Sequence, residues 1–495
     1  MAIRGTTSLL FLAALGGVFA ASTASEAAKG KAQTPALAPY VEETDSVVLS
    51  DADYALIEAR VRTQAGRKIA QANSAAAALK SSELNAAVAR FQQIKTATDL
   101  QKFLDELDAN YDKSPRDVQF LASVLGLLRP FQGFVYRVEP LASRSKLLHS
   151  QLITEVRSFA SSYRVYFPTE QWDAGFEYVT RSAGLPEIKH ENELQNFVDT
   201  AIRPALLKAA GRIDRLFPAK SNPPMIVWDN QFVMGTAQFQ DDLDRYVLIG
   251  DAEAQAIIAS LKFSTASALM ATAYQAEGLV DLAKSLGKLY GFDAFSFKSE
   301  GVTEEERVAT ILRHQKKDPF WKLRVDGAVL IGSYQMRSAL KHLRDAANRG
   351  ALAWIAVKDQ PANEERGLNP GLVAPFNRRI GLAINDIRAL LKGEATLRSG
   401  VTGMPVTVNL PAFFENPPSN LSELLPTDFT KEKKVDTKVL RRDYYAGRGS
   451  QWNLDAYRKL FPKLTKQSEV TDFNRILSQT WGGAVLAAPM GPFVR

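Results

Sequence analysis

Eleven lysines and arginines crowd residues 431–466 against four acids, and the aromatic residues Tyr444, Tyr445, Trp452 and Tyr457 stand between them. Cations interleaved with flat rings suit the holding of anionic polymers, by charge and by stacking. The segment carries a net charge of +7, equal to that of the whole chain. The basicity is therefore local. Lys433, Lys434, Arg441, Arg442, Tyr444, Tyr445, Arg448 and Trp452 are the candidate residues for binding an anionic ligand or partner. The bland alternative is a solvated charged face whose aromatics belong to the core.

Other chemistry-bearing groups are scattered. A serine followed by a lysine three residues later, the pairing of penicillin-binding enzymes, occurs at Ser143/Lys146, Ser285/Lys288 and Ser338/Lys341. Three pairs are about what this composition gives by chance, and the companion Lys-Thr-Gly and Ser-Asp-Asn elements are missing. The four histidines, His149, His190, His314 and His342, include no two at metal-ligand spacing, so no metal site and no cofactor are expected. Asp251 and Glu253 could form a carboxylate pair for glycoside hydrolysis. Their place after an apolar strand also suits a helix N-cap and first turn, which is the preferred reading. Trp228-Asp229-Asn230 could face a saccharide or form a hairpin tip. The nucleophile elbow, the phosphate loop and the dinucleotide glycine fingerprint are absent from the sequence.

The chain has no cysteine, which excludes thiol nucleophiles, Cys-ligated metals, disulfide staples and lipidation on a cysteine. Arg4 precedes an apolar run from Leu9 to Ala20 that ends in small residues, the pattern of a secretory signal peptide over 1–24. That run is too short to span a bilayer, and no later run approaches membrane length, so membrane contact is expected to be peripheral at most. The expected destination is the periplasm, with the extracellular space as the alternative. Export argues against nucleic acid as a ligand.

These residues need a scaffold, and the apolar spacing is mostly helical. Residues 25–47 read as a flexible leader, poor in large apolar groups. A helical domain is expected over 48–217, with Leu100, Phe103, Leu104 and Leu107 on one face and a capping box at Thr98 and Gln101. A second helix should open at Ser114-Pro115 and stop before Pro130, and Pro204 must kink or interrupt the helix that Leu194 and Phe197 open. The Pro-rich stretch 217–224 reads as a boundary, followed by an α-rich domain over 224–395 with strands at Met225–Trp228 and Tyr246–Ile249. A helix is expected over about 328–348, ending before Gly350, and another over 376–393. Prolines at 405, 411, 417, 418 and 426 mark the start of an irregular, basic region over 396–495. The expected fold is mainly α: an irregular helical bundle or solenoid-like N-terminal half, and an α-rich second half with a minor β hairpin or small sheet.

From these features the expected function is that of an exported, non-catalytic envelope scaffold or binding protein that engages an anionic surface, a glycan or an acidic protein partner. A carboxylate-based cell-wall hydrolase is the alternative, because catalytic carboxylates leave little trace in sequence.

Overall fold

A computed structural model describes residues 48–64, 80–145, 148–149, 152–154, 156–157, 170–229, 246–289, 304–325, 329–358, 378–398, 405–429 and 450–479. The expected signal peptide over 1–24 and the expected leader over 25–47 lie outside them. The described residues form an irregular bundle of helices with three separate two-stranded antiparallel ribbons.

The N-terminal helices are α1 (Asp51–Gln64), α2 (Ser82–Phe91), α3 (Ala97–Ala109), α4 (Arg116–Leu125), α5 (Phe134–Ser143) and α6 (Glu170–Thr180). In α3, Leu100, Phe103, Leu104 and Leu107 are all buried, as their spacing requires. Its capping box lies at Thr96 and Asp99, two residues before the expected pair. Asp99 bonds back to the Thr96 N–H, while Gln101 is free to accept from Tyr178 Oη at 2.8 Å and donate to Asp105 at 2.9 Å. Pro115 caps α4, which ends at Leu125 and tightens into a 3-10 turn, Gly126–Phe131, around Pro130. Gly133, with φ +61, opens α5 where any Cβ would sit 2.9 Å from the Arg181 carbonyl.

Pro204 has a specific effect. Helix α7 (Glu191–Phe197) continues as a π turn, Val198–Ile202, into α8 (Arg203–Leu216). Proline has no N–H to give the Thr200 carbonyl and would crowd it, so the backbone widens by one residue and Arg203 N bonds to Val198 O. Helical direction survives, and the interruption is a change of register.

Strands β1 (Ile226–Asp229) and β2 (Tyr246–Ile249) pair antiparallel from Ile226 opposite Ile249 to Asp229 opposite Tyr246. Phe217, Ile226, Ile249 and Ile257 share one apolar core with Leu206 and Ile213, so packing is continuous across the Pro-rich stretch at 217–224.

Two long helices form the axis of the molecule: α9 (Asp251–Ala273) and α12 (Ile331–Lys358), which pack along each other. Alanines at 254, 256, 266 and 273 on one and at 339, 347, 351 and 353 on the other are buried. Small side chains let the two helices pack closely. α12 runs ten residues beyond the expected end, because Gly350 is buried inside the helix and Ala351, Leu352 and Ala353 continue the packing. α9 is rich in apolar residues and, with the stretch Arg116–Ser143, is long and apolar enough by composition to cross a membrane, contrary to the expectation that no such run exists. Two thirds of its most apolar window is buried in protein.

Helices α10 (Leu279–Leu289) and α11 (Glu304–Gln315) pack together beside this axis, and α13 (Arg378–Lys392) lies against α12. The region beyond 394 is more regular than its prolines imply. β3 (Glu394–Arg398) pairs with β4 (Pro405–Asn409), α14 (Leu410–Glu415) follows, and β5 (Pro426–Phe429) pairs with β6 (Ser450–Trp452) ahead of α15 (Leu454–Leu460) and α16 (Gln467–Gln479). Pro405 and Pro426 begin strands and Pro411 sits in the first turn of α14, positions where proline is tolerated. Val406, Val408, Phe413, Phe414, Tyr457, Phe461 and Phe473 join Leu269, Met270, Leu340 and Leu343 in the largest core.

Candidate functional site

Residues 450–479 sort the basic segment into two faces. Trp452 is 8% exposed, its ring edge-on to Tyr457 at 5.8 Å and its indole N–H donating to Thr471 Oγ1 at 3.1 Å. Tyr457 is buried too, and its hydroxyl donates to the Leu424 carbonyl at 3.0 Å. Burial raises that phenol far above its ordinary range. Both rings are core, so the candidate residue Trp452 has no face to stack on a ligand. Arg458, Lys459, Lys463 and Lys466 all point to solvent. Arg458 donates to the Thr465 carbonyl at 2.9 Å and lies 3.5 Å from Asp455, and Lys463 lies 3.6 Å from Glu394. Lys433, Lys434, Arg441, Arg442, Tyr444, Tyr445 and Arg448 lie outside the described residues.

Several buried polar groups bond one another in two networks. Arg349, without any exposed surface, holds Asp345 through Nε at 3.1 Å, Asp214 through Nη1 at 2.7 Å and Gln255 Oε1 at 2.8 Å. Lys262 stands 3.8 Å from Asp345, whose other oxygen accepts the Leu49 N–H at 3.2 Å. This network ties α8, α9 and α12 together and bonds the segment leading into α1. A second hub centres on Asp199, on the π turn. It accepts from Thr272 Oγ1 at 2.8 Å, Arg324 Nη1 at 2.7 Å and Gln335 Nε2 at 3.1 Å. Here the register change made by Pro204 has a structural consequence, because Asp199 lies in the widened turn that faces α9 and α12.

Asp251 and Glu253 take structural roles. The N-cap is Gly250, one residue before the expected position, and Glu253 accepts its N–H at 2.9 Å. Asp251, buried, pairs with Arg60 at 2.7 Å and so anchors α1. Glu191 is a buried acid of the kind a hydrolase would use: burial raises its carboxyl and nearby Asp281 adds to the effect. Both its oxygens are nevertheless engaged, by the Val280 N–H at 3.1 Å and by Arg144 at 3.5 Å. Together with Gln195, which bonds the Tyr274 carbonyl at 2.7 Å and the Ala276 N–H at 3.2 Å, it clasps the turn before α10. Asp229 is buried, and Asn230 lies outside the described residues.

Of the three serine–lysine pairs, Ser143 donates to Glu139, and Lys146 lies outside the described residues. Ser338 is half-buried on α12. Ser285 meets a histidine, with Oγ 2.7 Å from His314 Nε2. Twenty-nine residues separate the two, and only the pairing of α10 with α11 brings them together. Nothing in the sequence couples them. His149 lies 3.6 Å from Glu139, and His190 caps α7. Among the described residues, no three His, Asp or Glu side chains converge as a metal site. No family model, no curated protein and no solved structure matches this chain.

Proposed function

We propose that this protein is an exported helical binding protein whose C-terminal basic segment docks an anionic surface of the cell envelope. The observation that carries this reading is the sorting within 450–479. Trp452, Tyr457 and Phe461 anchor the segment in the core while Arg458, Lys459, Lys463 and Lys466 face solvent. A rigid, cation-bearing face fastened to a core recognises charge rather than bases or sugar rings. Each such residue near an anionic leaflet contributes about 1 kcal/mol.

The test is co-sedimentation of the protein with cell-wall sacculi and with phosphatidylglycerol vesicles at low and high salt. One variant neutralises Lys459, Lys463 and Lys466, and a second neutralises Lys433, Lys434, Arg441 and Arg442. Arg458 is left in place because it also holds the Thr465 carbonyl. The three-lysine variant should weaken low-salt binding by about two decades, at ~1 kcal/mol per charge. High salt should weaken the wild type in the same direction. Binding that ignores both salt and substitution refutes the role.

A further inference from the structure

We propose that Ser285, His314 and Asp318 form a nucleophile–base–acid array that transfers the acyl group of an ester to water. Ser285 lies in the middle of α10, and its Oγ is 2.7 Å from His314 Nε2 in the last turn of α11. His314 Nδ1 is buried and has no hydrogen-bond partner, and the nearest carboxylate oxygen is Asp318 Oδ2 at 4.0 Å. Serine, imidazole and acid thus lie in the order that nucleophilic acyl transfer uses. A catalytic hydrogen bond is often long in an unliganded site and tightens with substrate.

The backbone holds the acid in place. Gly278, with φ +91, immediately precedes α10, and a Cβ there would overlap the Asp318 side chain. Only glycine allows Asp318 this seat. On its other side Trp321 adopts φ +65, a costly conformation for a bulky residue, with its N–H on the Gln275 carbonyl at 2.9 Å and its carbonyl on the Leu421 N–H at 3.0 Å. The Gln195 and Glu191 clasp fixes the turn from the other face. The array therefore rests on a fixed support, while the His314 and Asp318 side chains keep 17% and 28% of their surface open.

Burial holds the His314 imidazole below its ordinary value, against the opposing pull of Asp318 and Asp281, so it is neutral at neutral pH. A neutral imidazole with its proton on Nδ1 accepts the Ser285 proton at Nε2 as Oγ bonds to the ester carbonyl carbon. Collapse of the tetrahedral adduct breaks the carbon–alkoxy bond, and the leaving alkoxide takes the proton from Nε2. Water then attacks the acyl-Ser285 ester, gives one proton to Nε2, and releases the acid as Oγ recovers that proton. Lys284 and Lys288 flank Ser285 on α10, and Arg313 and Lys317 flank His314, four cations against Asp281 and Asp318. This local excess of positive charge favours esters that carry an anionic group.

The absence of native cysteine makes the test clean. In Ser285→Cys the introduced thiol is the sole thiol of the chain. If His314 acts as a base towards position 285, the pH midpoint of iodoacetamide alkylation should lie at least about one unit lower in S285C than in S285C/H314Q, which keeps the same neighbouring cations. An interhelical hydrogen bond with no basic role would leave the two midpoints equal. The wild type should also form a fluorophosphonate adduct on the peptide containing Ser285. Its turnover of p-nitrophenyl acetate should be lost in S285A, fall about 100-fold in H314Q, and fall less in D318N. Far-UV circular dichroism checks that each variant is folded. A thiol midpoint that does not depend on His314, or an unmodified Ser285 peptide, overturns the proposal.

Discussion

Asp199→Leu is expected to be among the most damaging single substitutions in the chain. The side chain of Arg324 is 4% exposed, and in this variant it loses the carboxylate 2.7 Å away. The Gln335 amide and the Thr272 hydroxyl lose their acceptor on Asp199 at the same time. Removing one member of a buried, hydrogen-bonded ion pair costs about 3–5 kcal/mol, chiefly because the other charge stays buried without it. The loss should be partly reversible by a second substitution. In D199L/R324M the closer of the two cations that face position 199 is gone, Arg203, 3.8 Å from the carboxylate in the wild type, stays, and Gln335 still donates to Thr272 Oγ1 at 3.0 Å. An ion pair exchanged for apolar groups of similar volume is often close to neutral. The double variant should therefore be more stable than D199L by at least about 1 kcal/mol, a coupling that independent sites do not show. Guanidinium unfolding followed by far-UV circular dichroism gives both differences. Pro204→Ala supplies the companion measurement: a stability change under about 1 kcal/mol would mean that the Asp199 hub, rather than the missing N–H, maintains the π turn. If D199L lies within about 1 kcal/mol of wild type, or the double variant is no better than the single, the hub does not work as an ion pair.

Gly332→Ala places a methyl group 2.7 Å from Leu323 Cδ1 and 2.9 Å from Arg324 N, and overlapping the Ala273 carbonyl, so a loss of about 1–3 kcal/mol is expected in the same unfolding assay. An unchanged midpoint would show that α12 can slide to accommodate it. Trp452→Phe keeps an aromatic ring but loses the pyrrole half of the indole and its bond to Thr471; it should cost about 1–3 kcal/mol and leave low-salt binding to anionic vesicles unchanged. Weaker binding with intact folding would return Trp452 to the ligand surface. Burial pushes the Asp108 carboxyl up, but hydrogen bonds and charge from Lys208 and Arg212 outweigh it and hold the group at about 2, below its ordinary 3.8. A depressed carboxyl contributes stability that is present above its unfolded pKa and is lost as pH falls through its folded one. Asp108→Asn should therefore be less stable than wild type at neutral pH, with the difference shrinking between pH 3.8 and about 2. A difference that stays constant over that range refutes the assignment.

Helical periodicity carried most of the architecture, because a buried stripe such as Leu100, Phe103, Leu104 and Leu107 repeats within a few residues and needs no knowledge of its partner. Proline was harder to read. At 405, 411 and 426 it occupies first positions of strands and a helix, where local composition looks the same as in a loop. At 204 the sequence showed that something must give, but not that the helix would widen and continue with Asp199 facing inward. Gly350 misled for a related reason: a glycine ends a helix only when nothing packs beyond it, and here Leu352 and Ala353 are fully buried. The sites were less legible than the fold, since a charge in sequence has no partner until helices are assembled. Arg349, Asp345, Asp214 and Gln255 are spread over 136 residues, and Ser285 and His314 over 30. In the basic segment the rings and the cations were visible as a mixture, but their separation into an inner and an outer face depends on which core the segment meets. Under the proposed function that separation favours charge over stacking, and the contact between Ser285 and His314 is the feature whose reactivity most directly decides whether the protein also catalyses.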